Sequence, residues 1–125
     1  GKTCWHNYQT GEKLFFDDNI KNLIKNGLIS EILLVDCQNE GCDGAFDFKI
    51  LEFFKNFDVS LILFGGLSTE KILKKAFDHS KVVAAAIGNR LNYSEHSVQT
   101  LKNLLPSAPI RPSYYHDRSI FKHYD

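Results

Sequence analysis

The chain has 125 residues, 15 lysines and arginines balanced by 15 aspartates and glutamates, and a formal net charge of zero. That length suits one domain, and the balanced charge gives no reason to expect nucleic acid or an anionic membrane surface as partner. The composition, 43% hydrophobic and 24% charged, is that of a soluble globular protein; no apolar run approaches the ~20 residues of a membrane helix, and no signal peptide is expected.

Three cysteines, Cys4, Cys37 and Cys42, cannot all pair within one chain, which suits a reducing cytoplasm. The Cys37/Cys42 spacing is a poor match to zinc-ligand pairs, and no second pair with histidines follows, so neither a metal site nor a cofactor is expected. The sequence starts at Gly1 and contains no methionine, which predicts a processed chain or a piece of a longer polypeptide.

Residues 1 to 13 read as a loop or hairpin, with Lys2-Thr3-Cys4-Trp5 the part suited to a short strand. Asp17-Asp18-Asn19 supplies cap residues and early negative charge for a helix whose apolar face is Ile20, Leu23, Ile24 and Leu28, with Asn26-Gly27 as its stop signal. Glu31 to Cys37 is an apolar run of strand length, followed by the polar, glycine-punctuated Gln38-Asn39-Glu40-Gly41-Cys42-Asp43-Gly44. Asp47 is suited to cap a helix carrying Ile50, Leu51, Phe53, Phe54 and Phe57 on one broad face. Residues 59–64 form the next strand. It stops at Gly65-Gly66, and Ser68-Thr69-Glu70 opens a helix with Ile72, Leu73, Ala76 and Phe77. The last strand spans 81–87 and ends at Gly88-Asn89; Ser94-Glu95-His96-Ser97 then begins a helix through Val98, Leu101, Leu104 and Leu105 that Pro106 ends. From Ser107 on, no period is visible.

Helix and strand thus alternate, with strands apolar throughout and short connections. This pattern predicts an α/β fold with a parallel sheet and right-handed crossovers. Loops 38–45, 65–68 and 88–93, all beyond the carboxyl ends of strands, would share one face, where such sheets bind ligands. At Gly65-Gly66 two readings stand side by side. The glycines let an anion such as phosphate approach free N–H groups at a helix start, or they only turn the chain.

In this order and spacing the residues resemble a known family. Glu31-Ile32-Leu33-Leu34 leading to the acidic-Gly pair Glu40-Gly41, the strand ending in Gly65-Gly66, and Val83-Ala84-Ala85-Ala86-Ile87 are similar to the C-terminal part of the cyclase subunit of imidazole glycerol phosphate synthase. That family is a (β/α)8 barrel of two similar half-barrels. The resemblance implies a partial TIM-type barrel of about three βα units, with residues 1–105 as its C-terminal part and 106–125 as an irregular tail. It implies a phosphorylated small-molecule substrate held by Gly41, Gly65, Gly66, Ala85 and Ala86, where Ala86 replaces a family serine. It implies a catalytic role for Glu40 and Gln38, in a loop that reads Gln38-Asn39-Glu40-Gly41 where the family reads Asp-x-Asp-Gly. Glu40 keeps a carboxylate, whereas Gln38 cannot exchange a proton near neutral pH. Phe64 stands where a serine is common. The two aspartates regarded as the family's general acid and base belong to strands outside this chain. A glutaminase (amidotransferase) subunit, which supplies ammonia for a lyase/cyclase step of histidine biosynthesis in the cytoplasm, is the implied partner.

Gly88-Asn89, Glu95-His96 and Arg111-Pro112 resemble more closely a paralogous branch encoded with surface-polysaccharide genes. There the barrel is thought to conduct ammonia to a sugar amidotransferase. A third reading, a non-catalytic half-barrel association module, follows from three strands with bare edges. The remaining residues read as structural. His96 is expected in a solvated pair with Glu95, and His6 beside Trp5 as an exposed loop histidine, with sugar or nucleotide contact as the other reading. His79, His116 and His123 receive no role. Phe46, Phe48, Phe53, Phe54 and Phe57 read as core or sheet-facing residues, and Lys71, Lys74 and Lys75 as a solvated helix face.

Overall fold

The computed structural model describes residues 4–6, 9–92 and 96–111; Lys2-Thr3, Ser94-Glu95, Pro112, His116 and His123, which figure in the sequence reading, lie outside the described residues. The chain opens with an antiparallel hairpin of β1 (Cys4–His6) and β2 (Lys13–Phe15), the second strand reaching two residues beyond the expected hairpin. Helix α1 (Asp18–Lys25) begins as the sequence predicts: the Asp17 carboxylate accepts from the Ile20 N–H at 3.0 Å. It ends at Asn26, with Gly27 at a φ of 68° turning the chain into the sheet.

Strands β3 (Glu31–Val35), β4 (Ser60–Phe64) and β5 (Val82–Ala86) form one open parallel sheet in consecutive order. Leu33 pairs with Ile62 and Ile62 with Ala84; Val35 pairs with Phe64 and Phe64 with Ala86. A register shift between Leu61 and Ile62 leaves Val83 as the extra residue on β5. Parallel strands laid down in sequence order, each joined by a right-handed crossover, put every connecting helix on the same side of the sheet. The burial pattern agrees. Ile32, Leu34, Leu61 and Leu63 join Ile24 of α1, Leu73 and Ala76 of α3 (Glu70–Phe77) and Leu101 of α4 (Ser97–Asn103) in one buried cluster. Leu61 and Leu63 alone contribute ~1.5–3 kcal/mol each by leaving water. On the opposite side Leu33 and Val35 stay exposed.

The sequence predicts a broad helix reaching Phe57, but only α2 (Lys49–Glu52) is helical. Beyond it the hydrogen bonds Phe54 N–H to Leu51 O, Lys55 N–H to Glu52 O and Phe57 N–H to Phe54 O each span three residues, a tighter turn than the α-helix. Three phenylalanines in five positions favour mutual packing over helix continuation. Phe16 meets the rings of Phe53, Phe54 and Phe57 edge-on at 4.9, 5.7 and 5.6 Å, which ties the segment after the hairpin to this turn. Phe54 is buried as expected, whereas Phe53 stays partly in water.

Helix α4 starts later than Ser94-Glu95, at Ser97, after His96 in left-handed backbone with a φ of 54°. A 3₁₀ turn over Asn89–Asn92 fills the connection from β5. Ala108 and Ile110 pack against the core, so the chain stays attached to it beyond Pro106.

Candidate functional site

The three strand-end loops lie next to one another, as the parallel register requires, and the loop after β3 is closed by Asp36. The apolar run predicts this residue inside a strand; it is the first loop residue instead. Its N–H donates to Phe64 O at 2.9 Å, and its Oδ2 accepts from Asn39 Nδ2 at 2.7 Å and from the Asp47 N–H at 2.8 Å. One carboxylate thus fixes both ends of the loop. Asp47, expected to cap α2, instead accepts from the Lys49 N–H two residues on, at 3.0 Å, as aspartates do in turns.

This loop folds back over the Gly65-Gly66 turn. A Cβ built at Gly65 would lie 2.6 Å from Asp36 O, and one at Gly66 would lie 2.8 Å from Phe46 N and 3.1 Å from Asn39 O. Both glycines are buried and have positive φ, 100° and 68°. No side chain fits, so the close approach of two backbones accounts for glycine at both positions. Ser68, also buried, accepts from the Gly44 N–H at 3.1 Å, and Thr69 caps α3 through the Ile72 N–H at 3.4 Å. The hydroxyls after the glycines are therefore engaged by the protein itself. Among the described residues neither the Gly65 nor the Gly66 N–H joins a turn or loop hydrogen bond.

The other predicted residues differ in accessibility. Gln38, Glu40 and Gly41 are exposed on the same loop, Gly41 with a φ of 79° and open space around its Cα. Ala86 is half-buried, paired with Phe64 on the open side of the sheet, while Ala85 pairs with Leu63 on the helix side. The ring of Phe64 comes within 3.6 Å of a Cβ built at Gly88, so it spans from the end of β4 to the loop after β5. The structure thus joins the Gly65-Gly66 turn to residues 36–47 directly and brings Ala86 beside Phe64 by strand pairing. It leaves Gln38 and Glu40 facing solvent.

The lysines of α3 are exposed. Lys74 pairs with Glu70, and Lys75 Nζ sits 4.3 Å from the centre of the Phe48 ring. His79 serves a turn, its Nδ1 accepting from the Lys81 N–H. Among the described residues no cluster of three or more histidines, cysteines or acids is placed to hold a metal ion, and no helix is long and apolar enough to cross a membrane. No family model, curated protein or solved structure matches this chain.

Proposed function

We propose that this chain is the C-terminal part of a (β/α)8 barrel of the imidazole glycerol phosphate synthase cyclase type, which uses ammonia from a glutaminase partner on a phosphorylated substrate. The observation that carries the reading is the consecutive parallel order β3-β4-β5 with its helices on one side. Barrels grow in this way; a doubly wound sheet reverses direction and covers both faces. In the proposal the open side of Leu33, Ile62 and Phe64 faces the barrel interior, and the strand-end loops form part of its mouth. Substrate phosphate would be received by backbone N–H groups at Gly41, Gly65, Gly66, Ala85 and Ala86. Exposed Glu40 would orient substrate or shuttle a proton, with Gln38 as a neutral hydrogen-bonding neighbour.

The proposal expects ribose 5-phosphate, titrated into the chain within its complete polypeptide, to shift the Gly41, Gly66 and Ala86 amide resonances. Growth of a histidine-requiring strain carrying the gene would establish the cyclase activity. Absence of both effects overturns the reading. Amide shifts without growth would favour the ammonia-conducting branch, to which Gln38 in place of a carboxylate already inclines. A second reading, a half-barrel association module, is favoured by the exposure of Leu33 and Val35. A stable, well-folded dimer of the 125-residue chain in light scattering would select it.

A further inference from the structure

A groove of about 440 Å³ runs beside β5, between α3 and α4. Its walls come from Phe77 of α3, Val83 and Ala85 of β5, Val98 and Leu101 of α4, and Ile110 beyond it. The volume falls within the range of ~300–1,000 Å³ typical of small-molecule sites, and apolar walls of this kind hold apolar ligands in place of water. Among the described residues only two lining side chains are charged, Lys102 and Arg111, both cationic, and no carboxylate lines the groove. Among the described residues neither cation joins an ion pair.

Such a lining selects by chemistry. A neutral hydrocarbon would leave both cations unused, and a polyanion such as a nucleotide would set most of its polar surface against aliphatic walls. An occupant with a long apolar body and one anionic end satisfies both parts. We propose that this groove binds an acyl carboxylate, with its chain against Phe77, Val83 and Leu101 and its carboxylate at Lys102 and Arg111. Ala85 shares the helix side of the sheet with Leu63; its N–H belongs to the proposed phosphate site, so the two sites adjoin at this residue, but the groove does not depend on the barrel reading.

Dodecanoate titrated into the 125-residue chain, followed by amide resonances, tests this. Shifts should concentrate at Val83, Val98 and Leu101 and leave Gly41 and Gly66 unmoved, so failure here is distinguishable from failure of phosphate binding at the rim. Dodecan-1-ol should bind about tenfold more weakly, and the double variant Lys102→Ala/Arg111→Ala should lose about tenfold in dodecanoate affinity, the size expected for a charge-assisted contact. Val98, 46% exposed at the groove wall, can accept a larger side chain without disturbing the core, so Val98→Trp should block binding in a folded protein. The proposal is overturned if the alkanol binds as tightly as the carboxylate, or if Val98→Trp leaves binding intact. It is equally overturned if dodecanoate shifts nothing because another part of the chain covers the groove, or if the groove amides shift with protein concentration alone, as in self-association.

Discussion

On the helix side of the sheet Leu61 and Leu63 have 0% of their surface in water; on the other side Leu33 keeps 53% and Val35 37%. All four are aliphatic residues of the same two neighbouring strands, and nothing in their chemistry separates them. Topology does, because consecutive order with one-handed crossovers covers one face and leaves the other bare. The apolar runs at 31–37 and 59–64 thus put aliphatic side chains on both faces of the sheet, while the described residues bury one. Leu61→Ala and Leu63→Ala should each cost about 2–5 kcal/mol in urea unfolding, through lost burial and a cavity, while Leu33→Ala should stay within about 0.5 kcal/mol. Equal costs would mean that Leu33 is covered and the contrast is wrong.

The rim shows the same contrast on a smaller scale, between glycines packed against backbone and a glycine in the open. Gly66→Ala places a methyl 2.8 Å from Phe46 N, so overpacking of about 1–3 kcal/mol adds to the cost of a non-glycine residue at positive φ. Gly41→Ala meets nothing within 4 Å, and only the conformational cost of about 1–2 kcal/mol remains. Paired denaturation curves should show Gly66→Ala as the less stable variant. If the two match, the β3 loop does not press on the turn.

Asp36 holds that loop, and its removal separates loop closure from core packing. Asp36→Ala leaves Asn39 Nδ2 and the Asp47 N–H without their acceptor and should cost about 1–3 kcal/mol. Amide exchange should accelerate across residues 38–47 while Leu61 and Leu63 remain protected. Uniform loss of protection would show that the loop and the core unfold as one unit.

How much of this was legible follows from which signals are local. Asp17 before Ile20 and Ile24, Asn26-Gly27 after them, and Thr69 ahead of Ile72 mark α1 and α3 because capping is settled within a few residues. The three strands and their parallel pairing follow from the alternation of apolar runs with helices. The α2 region misleads because its phenylalanines carry a helical period, yet their rings pack better on Phe16 and one another in a series of turns. Asp36 is not legible as the loop's anchor because its partners include Asp47, eleven residues on, and the Phe64 carbonyl on the next strand. Gly65-Gly66 was legible as a turn beside a helix start. That the turn also lies under the 36–47 backbone is a tertiary fact that no local pattern carries.

The smallest expected effect bears most directly on what the open face is for. In the 125-residue chain Leu33→Glu sets a charge where the side chain already meets water, so stability should change by no more than about 0.5 kcal/mol. If the chain is part of a barrel, the same substitution in the complete polypeptide puts an unpaired carboxylate among interior side chains. A loss of several kcal/mol follows, or a carboxyl pKa raised by desolvation. Comparing unfolding midpoints of the two forms therefore reads the occupancy of the face itself. A large penalty confined to the longer form places other strands over Leu33, whereas none in either form leaves the face to solvent. A large penalty already present in the short chain would show that two copies cover it, and dilution should then remove the effect, because association depends on concentration and intramolecular burial does not.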